Sequence, residues 1–184
     1  MGKIKCCPTT PLQDRIIESR NKLFQIALSW CGEKMRADDM VQETITIALI
    51  NYAQLRDEDK MFGWLCRIMK NNMYRQIRKQ KRHENVDDQI PSTDLGPFGR
   101  CHEKDIVTRV RQAVAALPME QRQIISLVDL GDLAYCDVAQ VLGIPIGTVM
   151  SRLHRARKSL LKKMENDIRF KVVSATNNIH IFKK

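Results

Sequence analysis

Three stretches of the chain hold side chains whose types and spacing could do chemistry. From Met61 to His83 there are seven Lys or Arg and no Asp or Glu. On a helix, Arg67, Asn71, Tyr74, Arg78 and Arg82 step by four, three, four and four, so cation, amide and aromatic form one stripe. Such a stripe can follow a phosphate backbone and stack on, or bond to, unpaired bases. Uninterrupted positive sign over about six turns repels itself unless an anion covers it. Leu65, Ile68 and Met69 point elsewhere, toward a core. Trp64 fits either a core anchor or a stacking platform.

The second stretch, GIPIGTVMSRLHRAR, runs from Gly143 to Arg157. Gly143 and Pro145 form a turn between a short helix over Tyr135 to Leu142 and a longer one over Gly147 to Glu165, the helix-turn-helix plan. Val149, Leu153, Ala156 and Leu160 recur at steps of four, three and four and share a buried face. Met150, Ser151, Arg152, His154, Arg155, Arg157 and Lys158 then look outward. The N-terminal end of such a helix enters a major groove, where Arg donates two bonds to a guanine edge or pairs with phosphate. The Thr148 hydroxyl and the amides of the first turn could hold a phosphate.

The third stretch, DDMVQETITIAL, is acidic in a basic protein. Met40, Val41, Ala48 and Leu49 can bury themselves, while Asp39, Gln42, Glu43 and Thr46 fall on the opposite face. Read alone, this is a solvated polar face. DNA would repel it, so a partner there should be a basic protein surface.

The elements that must position these stretches read as all-helical. Helical spacing predicts segments over about Leu12 to Trp30, Ala37 to Tyr52 and Met61 to Arg82, with Asp38 and Asp39 in the first turn of the second. Pro, Gly and turn formers then crowd ENVDDQIPSTDLGPFGR, which reads as a linker. Helical pattern resumes near Glu103 through Val107, Val110, Val114 and Leu117, and Pro118 opens a further helix over about Met119 to Leu130, closed by Gly131. The expected plan is a first helical domain over 1–83, a linker over 84–102, a second helical domain over 103–165 and a tail over 166–184. The tail could be a small hairpin or disordered.

Composition narrows the function class. A length of 184 residues with 43% hydrophobic content suits one or two globular domains. The formal charge of +10 points to a polyanion partner, nucleic acid above all. No apolar run is long enough to span a membrane and no signal-peptide core is visible, so the expected compartment is the cytoplasm. The six cysteines are dispersed without a C-x-x-C pair, and Cys101-His102 is too small a cluster for zinc. The four histidines are scattered at 83, 102, 154 and 180, and no P-loop, G-x-S-x-G or H-E-x-x-H occurs. Neither catalytic residues nor a metal or cofactor is therefore expected. A self-sufficient helix-turn-helix repressor lacks a visible dimerisation or effector segment, and a DNA-processing enzyme lacks a visible nucleophile or metal-binding carboxylates.

Taken together, the stretches resemble a bacterial RNA polymerase sigma factor of the extracytoplasmic-function group. The resemblance spans roughly Leu12 to Lys163 and is carried by DDMVQET, WLCRIMKNN and the nearly continuous LPMEQRQIISLVDLGDLAYCDVAQVLGIPIGTVMSRLHRAR. It implies two helical domains that bind core RNA polymerase, recognise promoter DNA and promote its opening. Asp39, Gln42 and Glu43 would meet the clamp helices of the largest polymerase subunit. Asn71, Tyr74, Arg75, Arg78 and Lys79 would meet the −10 element, with Arg56 to Phe62 as a loop that captures a flipped base. Thr148, Met150, Ser151, Arg152, His154, Arg155 and Arg157 would meet the −35 element. An anti-sigma factor is the implied regulator. Arg75 stands where many relatives carry Asp, and Met150 where many carry Lys or Arg.

Overall fold

The computed structural model describes residues 10–83 and 102–165, with side chains over 10–79 and 108–165. Every regular element among the described residues is helical. The first group of helices is α1 (Pro11–Glu18), α2 (Arg20–Cys31), α3 (Lys34–Asn51) and α4 (Met61–His83). The second is α5 (His102–Ala115), α6 (Met119–Ile125), α7 (Tyr135–Leu142) and α8 (Ile146–Glu165). The expected linker lies outside the described residues except for His102, which already opens α5; the whole expected tail lies outside them too.

Local chemistry explains the boundaries. Thr10 and Gln13 form a reciprocal capping box, and Pro11 occupies the first helical position, where its missing N–H costs nothing. The single helix expected over Leu12 to Trp30 is instead two, broken at Ser19. There the Arg15 carbonyl accepts from both the Ser19 hydroxyl at 2.9 Å and the Ser19 N–H at 3.1 Å. Gly32 (φ 75°) closes α2 in the left-handed conformation that glycine adopts without strain.

The helix expected over Met119 to Leu130 is α-helical only to Ile125 and continues as a π-helical turn, Ser126–Leu130. Gly131 does not end it by a positive φ; its φ is −83°, and Asp132 takes the left-handed position at 52°. Glycine is required at 131 by close approach instead. A Cβ there would lie 2.4 Å from the Leu127 carbonyl oxygen and 3.2 Å from Ile26 Cδ1.

Within the first group, α2 packs on α3 and α3 on α4; within the second, α6 and α7 pack on α8. The two groups also pack on each other, α2 against α5, α6 and the π-helical turn, and α4 against α7. One apolar core therefore runs from Ile16, Leu23, Ile26 and Trp30 through Leu65 and Met69 to Ile124, Leu127, Val138, Val149 and Leu153. At the seam the buried Trp30 indole N–H donates to Ser126 Oγ at 2.6 Å, and the Ser126 hydroxyl faces the Arg122 carbonyl at 2.8 Å. The Arg122 guanidinium donates to the carbonyls of Trp30 (2.9 Å) and Leu117 (3.0 Å). It thus places a cation on the Trp30 carbonyl at the C-terminal end of α2, where the helix dipole favours one. Desolvation holds the Arg122 pKa below the ordinary guanidinium value.

The cysteines of the described core behave as small apolar side chains. Burial pushes the Cys66 thiol up to about 12, so it stays protonated and inert near neutral pH, whereas Cys136 is exposed on α7.

Two expectations follow from this packing. Trp30→Phe, which keeps a ring but loses the N–H, should destabilise by about 1–2 kcal/mol, and Trp30→Ala by about 3–5 kcal/mol, in urea unfolding. A Phe variant as stable as the wild type would remove the seam hydrogen bond from the account. In native labelling with an aromatic disulfide at pH 8, Cys136→Ser should abolish one fast-reacting thiol, while Cys66→Ser should leave the fast phase unchanged.

Candidate nucleic-acid and protein interfaces

The α8 surface is built from its turn. Gly143 (φ 71°) ends α7 with its N–H on the Ala139 carbonyl at 2.8 Å, and Pro145 supplies the carbonyl that opens α8. That carbonyl accepts from the Thr148 and Val149 amides at 2.9 and 3.1 Å, so those two first-turn donors are committed to the helix and not to an anion. Val149, Leu153, Ala156 and Leu160 are buried, as their spacing requires. Each fully buried Val or Leu contributes roughly 1.5–3 kcal/mol, enough to fix which face of α8 meets solvent.

The outward residues divide into two sets. Met150, Ser151, His154 and Arg155 are exposed, and the Arg155 Nε–H donates to the Ser151 carbonyl at 3.3 Å. Arg152 and Arg157 are engaged by acids of the preceding elements. Arg152 pairs with the exposed Glu120 at 3.1 Å. Arg157 donates to Asp129 Oδ1 at 2.6 Å, and that bond raises its pKa above the ordinary value. Thr148 is half-buried.

On α4, Leu65 and Met69 are buried and Ile68 and Trp64 half-buried, which places Trp64 against the core. Arg67, Asn71, Tyr74, Arg75, Arg78 and Lys79 are all exposed, while Arg82 lies beyond the described side chains. The Tyr74 hydroxyl lies 3.3 Å from Gln123 Oε1 on α6, a contact between the two groups of helices. Asn72, unlike Asn71, is buried, and its Nδ2 has no hydrogen-bond partner.

Before α4 the chain runs extended through Leu55 and Asp57 into one tight turn, Glu58–Lys60. Asp57 caps that turn by accepting from the Asp59 amide at 3.1 Å, and Arg15 of α1 anchors it through Glu58 at 2.7 Å. Lys22 lies over the Phe62 ring at 4.7 Å, a cation–π contact that holds the end of the loop. Between this loop and α7 opens a cleft of about 450 Å³, bordered by Arg56, Lys60, Trp64 and Arg67 on one side and Asp137 and Gln140 on the other.

On α3, Met35, Asp39, Gln42, Thr46 and Ile50 form one exposed line at steps of four, three, four and four. Met40, Val41 and Ala48 are buried beneath it, and Leu49 is half-buried. Glu43 is half-exposed and both its oxygens are occupied from α4: Oε1 accepts from Arg75 and Oε2 from Gln76 at 3.1 Å. Arg75 also donates to Asn72 Oδ1 at 3.0 Å.

The acidic partners of the basic faces, Glu43, Glu120 and Asp129, escape a one-dimensional reading because each lies on another element, 28 to 32 residues away. Trp30, Arg122 and Ser126 were equally invisible, since only their meeting across the seam gives them a role. Among the described residues no group of three or more His, Cys, Asp or Glu could hold a metal, and no helix is long and apolar enough to cross a membrane.

A turn-linked basic helix, a second cationic helix and a separate polar face suit a protein that binds nucleic acid. The Sigma-70 region 2 family matches residues 16–83, and the Sigma-70, region 4 family matches residues 108–160. The chain is 33% identical over 153 residues to the ECF RNA polymerase sigma factor EcfG of Rhodopseudomonas palustris, covering 83% of this chain and 84% of that one. It is 26% identical over 159 residues to the ECF RNA polymerase sigma factor SigW of Bacillus subtilis, covering 80% and 85%. The sigma factor RpoE from Bartonella quintana, solved in complex with the anti-sigma factor NepR, superposes with a TM-score of 0.74 at 26% identity, covering 86% of this chain and 99% of that one. The chain belongs to the extracytoplasmic-function family of RNA polymerase sigma factors.

Proposed function

We propose that this protein binds core RNA polymerase, recognises the −35 and −10 elements of a promoter and promotes DNA opening for transcription initiation. Residues 1–83 act as the polymerase and −10 module, 84–101 as a linker, and 102–165, beginning with α5, as the −35 module. The observation that carries this reading is the pair of exposed cationic helices, α8 behind its glycine turn and α4 beside its capped loop, with the polar line of α3 on a separate face.

In this reading α8 enters the major groove of duplex DNA. Arg155, Ser151 and His154 meet it directly; Arg152 and Arg157 exchange Glu120 and Asp129 for phosphate or base edges. Exposed ion pairs are worth only about 0–1 kcal/mol, so the exchange from Glu120 costs little. The α4 residues Asn71, Tyr74, Arg75, Arg78 and Lys79 meet unpaired non-template strand, and the loop over Arg56 to Phe62 receives a flipped base. Unstacking each base costs a few kcal/mol, offset by stacking and hydrogen bonds to the protein. Asp39, Gln42 and Glu43 meet the polymerase clamp helices. Carriage by polymerase raises the effective concentration of each DNA-binding module for its element. The protein acts as an initiation factor without its own catalytic centre. Its similarity to an RpoE solved with NepR supports control by an anti-sigma factor.

Transcription in vitro from a library of random promoters, with core polymerase and with or without this chain, tests the reading. Promoter-specific RNA should appear only when both are present; initiation unaltered by the chain would refute it. Arg152→Ala and Arg155→Ala should each weaken the −35 footprint by roughly 1–3 kcal/mol in binding if the residue reads a base, and unchanged footprints would remove both from that surface. Double charge reversal, Asp39→Lys with Glu43→Lys, should abolish co-purification with core polymerase while circular dichroism stays that of the wild type. Normal co-purification would displace the polymerase contact from α3.

A further inference from the structure

Glu43 and Arg75 were assigned above to two different partners, yet in the folded chain they are bonded to each other. Both Glu43 oxygens are occupied from α4, one by Arg75 and one by Gln76, so the carboxylate is not offered to a basic partner in the way exposed Asp39 and Gln42 are. Conversely, Arg75 sits one turn beyond Asn71 and beside Tyr74 on the cationic stripe, and its charge is neutralised from α3. The same Nη2 donates to Oδ1 of the buried Asn72, one turn back on α4 itself, which holds the guanidinium in place beside its own helix. Both side chains keep solvent exposure, 53% for Arg75 and 37% for Glu43, so the pair is weak and open to exchange.

We propose that the Glu43–Arg75 pair is an exchange switch between the protein-binding face of α3 and the DNA-binding face of α4, an inference that rests on the functional reading above. In the isolated chain Glu43 holds Arg75. When the basic surface of polymerase takes the Glu43 carboxylate, Arg75 loses its counter-charge and turns to the nearest polyanion, the phosphate backbone on α4. Polymerase binding and the grip on single-stranded DNA are thereby coupled by one shared carboxylate, and linkage requires each to favour the other. Arg75 acts here as a conditional phosphate contact, and Glu43 as its positioning residue.

The test uses the full chain and a fluorescent random-sequence single-stranded DNA, because phosphate contacts are indifferent to sequence. One additional phosphate contact steepens the dependence of log K on log salt by about 0.7 for single strands. In the absence of polymerase, Glu43→Ala should steepen the slope by that amount, and the gain should vanish in Glu43→Ala with Arg75→Ala relative to Arg75→Ala alone. In titrations of fluorescent chain with core polymerase, Arg75→Ala should tighten binding several-fold, because Glu43 then loses its counter-charge and keeps only the neutral Gln76 amide on Oε2. A gain that persists without Arg75, or no gain at all, overturns the switch, as does unchanged polymerase affinity in Arg75→Ala. A wild-type chain that does not bind core polymerase at all refutes the functional reading itself, which separates the two failures.

Discussion

The hydrogen-bonded seam at Trp30 is the constraint on which the rest of this structure depends. A large indole buried between two groups of helices must satisfy its N–H, and Ser126 supplies the acceptor at the point where α6 gives way to a π-helical turn. That turn brings the Leu127 carbonyl oxygen within 2.4 Å of where a Cβ would stand at 131, so only glycine fits there, with Ile26 packed close by. Arg122 then closes the seam from the other side by capping the Trp30 carbonyl at the end of α2. Packing, backbone geometry and capping therefore converge on a few residues, while α4 and α7 make a second contact between the two groups.

The functional faces are complementary products of the same burial. On α8, four apolar residues at helical spacing face inward, so the Arg and His between them have no choice but the surface. The same holds for α4 above Leu65 and Met69 and for α3 above Met40, Val41 and Ala48. Not every surface cation is equivalent, however. Arg75, Arg152 and Arg157 each have an acidic partner on a neighbouring element, while Arg155 bonds only a carbonyl of its own helix among the described hydrogen bonds. A polyanion meeting this protein encounters sites that differ in how much counter-charge must first be displaced.

Much of this was legible in one dimension. The buried positions of α8, the exposed stripe of α4 and the acidic face of α3 follow from a 3.6-residue period, a property of each helix taken singly. The glycine turn before α8 was equally readable, because Gly143 adopts a positive φ that other residues avoid. Readings failed where a neighbour in space decided the outcome. The first long helix divides at Ser19 although the apolar period runs on across it, and Gly131 answers to Leu127 and Ile26, not to a helix-ending φ.

The sequence by itself determined that the chain is helical, which face of each helix is apolar, and where positive and negative charge concentrate, because those depend on residue type and on separations of three or four positions. Only the tertiary structure decided that the two groups of helices share a core at Trp30 and Ser126, that Tyr74 reaches Gln123, and that Arg75, Arg152 and Arg157 are already paired. Those contacts join residues 28 to 96 positions apart, and no periodic pattern encodes which distant side chain will arrive at hydrogen-bonding distance.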